Sequence, residues 1–127
     1  MKPFLNIIAL LFILFVFTCS TTGEYIMLPD ANNLQDYVDR QVCLEGEISQ
    51  VIWQHMIAVV DGYPYSEYFD VKDYQIVIYT KNKISCGTMV RVYGRVIKVE
   101  GQGKRYEPGD ELYREYHLAV DRWECVQ

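Results

Sequence analysis

One stretch constrains the fold more than any other. Within residues 86–101, Val90, Val92, Gly94 and Val96 fall on alternate positions, and Arg91, Tyr93 and Arg95 fill the places between. A period of two marks a strand with one buried face and one wet face. The same pattern occurs earlier at Val42, Leu44, Gly46 and Ile48, with Cys43, Glu45 and Glu47 between. Both strands therefore carry a glycine at the same inward place. A glycine inside a strand weakens it unless the chain must bend or bulge there. Two long strands with this shared feature predict a small, strongly coiled barrel, with an ordinary sandwich as the alternative.

The remaining elements follow from the same periodicities. Asp30, Asn32 and Asn33 are N-cap residue types, and Leu34, Tyr37 and Val38 recur at i, i+3 and i+4. That spacing predicts an amphipathic helix of about two turns, which would plug one end of the barrel. Strand one runs from Gln41 to about Val51, followed by a short connection through Trp53, Gln54 and His55. The apolar run Met56 to Val60 reads as strand two, and Asp61, Gly62, Tyr63 and Pro64 carry turn signals. Strand three covers Tyr74 to Thr80, with Tyr74, Ile76 and Ile78 on one face and Gln75, Val77 and Tyr79 on the other. Residues 81–87 are a brief connection to strand four, and Gly101 to Asp110 is a polar, glycine-rich loop. Strand five runs from Tyr113 to Val126, with Tyr116, Leu118 and Val120 facing in.

A chain of 127 residues is enough for one domain with a modest core, and 23% charged against 50% hydrophobic residues is a globular balance. Eleven tyrosines suit strands and half-wet surfaces, so they fit an all-β domain and a binding face. The formal charge is −5, and loss of residues 1–18 removes Lys2 and no acid, leaving about −6. An acidic protein is a poor default partner for a phosphate backbone.

Residues 1–19 read as a targeting segment. Lys2 precedes an apolar run, Phe4 to Phe17, interrupted only by Asn6. At ~1.5 Å per residue this run spans about 21 Å, short of a ~30 Å hydrocarbon core, which fits a signal h-region better than a permanent span. Cys19 follows directly, and Ser20 to Gly23 form a polar tether. The stretch Val16 to Cys19 resembles the bacterial lipoprotein signal. That resemblance implies lipid on Cys19 and a membrane-anchored envelope protein, on the periplasmic or extracellular face. Cleavage after Ser20 or Gly23, or an uncleaved anchor, are the alternatives. All of these outcomes place residues 24–127 outside the cytoplasm. Residues 20–29 then form a linker closed by Pro29, and residues 30–127 form the domain.

Five strands, a glycine-bearing first strand and a fourth strand reading VRVYGRV resemble the OB-fold, a five-stranded Greek-key barrel that binds oligonucleotides and oligosaccharides. The resemblance covers about residues 40–126 and is one of pattern. It implies an all-β, OB-like barrel preceded by a short N-terminal helix. Many OB domains carry a helix between strands three and four, and residues 81–87 are too few for one. An SH3-like barrel or small sandwich is the runner-up fold.

No constellation points to catalysis. His55 and His117 lie on different elements, and no CxxC or HxxxH pair offers metal-ligand spacing. Asp61, Glu67, Asp70 and Asp73 lack the alternation and mid-loop glycine of an EF-hand, and read as a solvated loop. Cys43 stands beside Glu45 and Glu47 with no local base or cation to activate a thiolate. The chain therefore reads as no enzyme, with no cofactor and no metal.

Binding remains. The OB-fold takes ligands on strands two and three and on the loops after strands one and four. Here that implies Trp53 and His55, then Tyr63, Tyr65, Tyr68 and Phe69, then Tyr79, with Lys104, Arg105 and Tyr106 from the last loop. Aromatics interleaved with cations suit sugar rings or bases, although tyrosines also simply cover small barrels. Two functions stay open: a non-catalytic, envelope-anchored module binding a protein or glycan, and a single-stranded nucleic-acid binder. Acidity and export argue against the second.

Export also permits a disulfide, and with Cys19 lipidated three cysteines remain. If strands four and five form an antiparallel hairpin with Val99 near Tyr113, Cys86 falls next to Cys125. The expected bridge is Cys86–Cys125, with Cys43 a free thiol at the other end of the barrel.

Overall fold

The structure is a computed structural model that describes residues 24–126. Cys19 and the apolar run before it lie outside the described residues. Six strands form one mixed sheet: β1 (Ile26–Met27), β2 (Gln41–Ile48), β3 (Tyr65–Val71), β4 (Tyr74–Thr80), β5 (Met89–Gly101) and β6 (Tyr113–Val126). The order is β1-β2-β3-β4-β6-β5, and β5 pairs again with β2, so the sheet is ring-like. Antiparallel pairing prevails except at β1–β2 and β4–β6, which are parallel. The all-β expectation holds.

The two glycines act as the alternation suggested, through lack of a side chain. Strand β2 pairs with β5 as far as Gly46↔Val90 and with β3 from Glu47↔Asp70. Gly46 thus sits where one strand passes between two partners, and a Cβ there would meet the Asp70 carbonyl and the Phe69 ring. Gly94 lies at the β5–β6 irregularity, where Tyr93↔Arg122 is followed by Gly94↔Val120 and Asp121 is the extra residue. Positive φ, which glycine alone takes readily, occurs at neither; it is found at the turn glycines Gly62 and Gly109.

The core fills the ring. Val42, Leu44, Val90, Val92, Val96, Leu118 and Val120 are buried on the inward faces, joined by Phe69, Val71, Ile76 and Ile78. Buried apolar area of this kind is the main stabilising term of a small domain. The disulfide Cys86–Cys125 ties the approach to β5 to the end of β6, with Cα atoms 5.6 Å apart. Cys43 is free and buried.

Four expectations need correction. The two-turn helix does not form; a single 3-10 turn covers Leu34–Tyr37, and only Leu34 in it is buried. Val38 is captured by a bridge to Val96, and Asp39 takes a positive φ, so the helix cannot propagate. Met56 to Val60 is not a strand. The second ring strand is instead Tyr65–Val71, which includes Glu67 and Asp70 from the supposed solvated loop and buries Phe69 in the core. The hairpin register is Gly101↔Tyr113 rather than Val99 near Tyr113, and the irregularity shifts it by one more residue. The expected cysteine pair forms nonetheless, because Cys86 reaches Cys125 from the connection before β5. Ile26–Met27, within the expected linker, adds the short sixth strand by pairing with Val42 and Cys43.

Candidate functional site

Strands β4 and β6 pair only over Ile78–Thr80 and Leu118–Val120. Before that point their side chains Gln75, Glu115 and His117 face a strap, residues 50–62, that lies along the outside of the two strands. Among the described residues the strap makes no backbone-to-backbone hydrogen bond to the sheet. Side chains hold it instead.

Gln75 takes the first part. Its Nε2 shares two hydrogens among three acceptors, the Val51 carbonyl at 2.7 Å, Ser49 Oγ at 2.8 Å and Asp70 Oδ1 at 3.1 Å. Its Oε1 accepts from the Trp53 N–H at 3.3 Å and faces His55 Nε2 at 3.0 Å. These partners fix the amide orientation, so His55 Nε2 carries a hydrogen. His55 Nδ1 then faces Glu115 Oε1 at 2.6 Å. A bare lone pair there would oppose a carboxylate, so a proton is held between the two groups. Glu115 also accepts the Met56 N–H through Oε2 at 2.7 Å. Burial pushes its carboxyl up, but the Met56 N–H and the His55 contact outweigh this and hold it below the usual carboxylate value.

The next anchor is Tyr79, whose hydroxyl accepts the Ala58 N–H at 2.9 Å and donates to His117 Nδ1 at 2.8 Å. His117 therefore carries its hydrogen on Nε2, which comes only within 3.5 Å of Glu115 Oε1 and has no hydrogen-bond partner among the described residues. Burial pushes His117 below the usual imidazole value, against the pull of Glu115. Burial likewise raises the Tyr79 phenol. At the far end, Tyr63 donates to Asp121, the extra residue of the β5–β6 irregularity, at 2.5 Å.

A cleft of about 350 Å³ opens between the strap and the loop at 102–112, lined by Gln54, His55, Met56, Gln102, Gly103, Lys104, Tyr113 and Glu115. Of the residues expected to bind ligand, His55 and Lys104 meet here. Trp53 is exposed on the strap, and Arg105 is exposed on the loop beside Lys104. Tyr106 is half-buried in that loop and lines no part of the cleft. Tyr79 is 1% exposed and supports the strap from beneath. Tyr63 stands apart, with Lys81 over its ring. Tyr65 is exposed on β3 and Tyr68 lies against His55.

Sequence reasoning missed Gln75, Glu115, His117 and Tyr113. Their contacts span up to 60 positions along the chain, and no local motif marks them. No family model matches this chain, and no curated protein matches it.

Proposed function

We propose that this chain is a non-catalytic binding module built on an OB-like barrel, held at the cell envelope by lipid on Cys19, and that it binds a protein or glycan ligand, a glycan being the better fit. The observation that carries this reading is the cleft itself, formed by the segments after the first and fourth strands of the ring. Those are the loops on which an OB-fold takes its ligands. The ring order, with its parallel contact at β4–β6 and its β2–β5 closure, agrees with a Greek-key barrel of that kind. The disulfide fits an oxidising, exported compartment.

The lining suits sugar hydroxyls. Gln54 and Gln102 offer amide donors and acceptors, Lys104 a cation, and Tyr113 an exposed ring. Pockets of this kind combine a face for stacking with a few placed polar groups. Both Glu115 oxygens are engaged by the strap, which fits a structural acceptor rather than a general base.

The nucleic-acid reading finds less support. Lys98 is paired with Glu100, and Glu115 lies in the same cleft as Lys104, so acids interrupt the cations a phosphate backbone would need. A glycan array probed with the mature chain tests the proposal. Selective glycan binding that Tyr113→Ala reduces about tenfold is expected. Binding to single-stranded DNA alone, or glycan binding indifferent to Tyr113 and Lys104, would overturn it.

A further inference from the structure

We propose that Glu115 is an acid-sensitive latch: its ionised carboxylate holds the strap at 50–62 across the sheet, and its protonation frees the strap and dismantles one wall of the cleft. The latch stands on the strap's geometry alone, and only its effect on a ligand rests on the binding reading above.

The strap depends on few contacts. It has no backbone ladder to the sheet among the described residues. It gains little from apolar burial, since Ile52 is 77% exposed, Trp53 64% and Val59 102%. Gln75, Glu115 and Tyr79 hold it, with Asp121 taking Tyr63 just past its end, and of these Glu115 alone takes two strap donors on one carboxylate, the His55 ring and the Met56 N–H. Bonds to an ionised acceptor are about twice as strong as neutral ones, so a neutral Glu115 loses much of its hold.

The neighbours of Glu115 set the direction of the response. From the strap it faces His55, and behind His55 lies the Tyr68 ring. On its own strand it faces His117, and β4 contributes Tyr79, bonded to His117, and Gln75, which links to Asp70. Lys104 borders the same cleft. When acid protonates Glu115, the carboxylate no longer holds the Met56 N–H and the His55 ring as an ionised acceptor, while Gln75 continues to face the other His55 nitrogen. When acid protonates His117, both ring nitrogens become donors and the hydrogen bond from Tyr79 is lost. That hydroxyl also receives the Ala58 N–H, so the second strap contact weakens too. In the folded chain both groups sit below their ordinary values, His117 through burial and Glu115 because the Met56 N–H and His55 outweigh its burial. The closed strap is therefore favoured at neutral pH and gives way as pH falls, first through the imidazole range and then through the carboxylate range.

Hydrogen exchange of the full chain in detergent micelles, corrected for intrinsic rates, tests this. Between pH 7 and pH 4, peptides covering 50–60 are expected to lose at least about tenfold in protection while β5 and β6 keep theirs. Strap protection that stays flat over that range, or that falls only together with β5 and β6, would overturn the proposal. Glu115→Gln keeps the size of the side chain and removes its charge. Its strap should be poorly protected at pH 7 and should lose the drop in the carboxylate range, keeping only the response through the imidazole range that His117 supplies, and a wild-type profile in this variant would contradict the latch. His117→Gln is expected to retain a drop below about pH 5. Loss of the whole acid response in that variant would make the imidazole the latch and overturn the assignment to Glu115.

Discussion

Gly94 on β5 lies so close to Ala119 on β6 that a Cβ added to the glycine would overlap the Ala119 carbonyl oxygen. The contact falls where the long hairpin skips Asp121, so the shortage of space and the change of register are one feature. Gly94→Ala should therefore cost more than the ~1 kcal/mol of a typical substitution, with Gly94→Val worse. Chemical denaturation measures it, and an unchanged midpoint would show that the two strands are farther apart than described.

Gly46 makes the same demand for a different reason. Here β2 passes from β5 to β3, with the Phe69 Cζ 2.9 Å from where a Cβ would sit and the Asp70 carbonyl nearer still. Backbone cannot yield as a flexible side chain can. Gly46→Val should cost at least about 2 kcal/mol and shift Phe69 ring resonances. The double variant with Phe69→Leu should recover only part of the loss, because the carbonyl remains.

The Cys86–Cys125 bridge closes a loop across a sequence separation of 39. Loop-closure entropy values such a bridge at roughly 4 kcal/mol before strain. Cys86→Ser/Cys125→Ser should lower stability by about 2–4 kcal/mol, read as a denaturation midpoint. Non-reducing peptide mapping should recover the 86–125 pair. Cys43 is buried, and burial raises its thiol, so it should react with a thiol reagent only after denaturant is added.

The Tyr63 phenol should titrate late. Its hydrogen bond to Asp121 favours the protonated form, and burial and the Asp121 charge add to this, pushing it up to about 12. A group raised in the folded state stabilises it below its ordinary value and ceases to do so as pH climbs through the raised one. The far-end anchor of the strap should thus hold through neutral and mildly alkaline pH and fail near pH 12. NMR of ring-labelled tyrosine follows this titration, and Asp121→Asn should bring it back toward pH 10.

Much of the ring was legible because its strands have one apolar face. Val90, Val92 and Val96, then Leu118 and Val120, alternate cleanly and point into the core. Strand β3 was not legible, since Ser66, Glu67 and Asp70 dilute its signal and only Phe69 and Val71 are fully buried. The apolar residues of the strap imitate the strand that β3 provides, yet Ile57 and Val59 face solvent. The helical spacing at Leu34, Tyr37 and Val38 was real, but Val38 pairs with Val96 and ends the turn early. Of the candidate site, His55 and Lys104 could be placed by analogy of loops. Glu115 and His117 could not, because their roles exist only once the strap lies over them.

Envelope anchoring has its own signature. Intact-mass analysis should show a mature chain beginning at Cys19 and carrying acyl mass. A chain beginning at Thr21 or Glu24 without lipid would contradict the anchor and leave the cleft untouched.

The central claim is that ligand enters between the strap and the 102–112 loop. Titration of the ¹⁵N-labelled mature chain with an array-positive glycan tests this most directly. The account predicts saturable amide shifts at Gln54, His55, Gln102, Gly103 and Tyr113, with β1 and the Cys86–Cys125 end unmoved. Shifts confined to another face, or none at millimolar glycan, would contradict it.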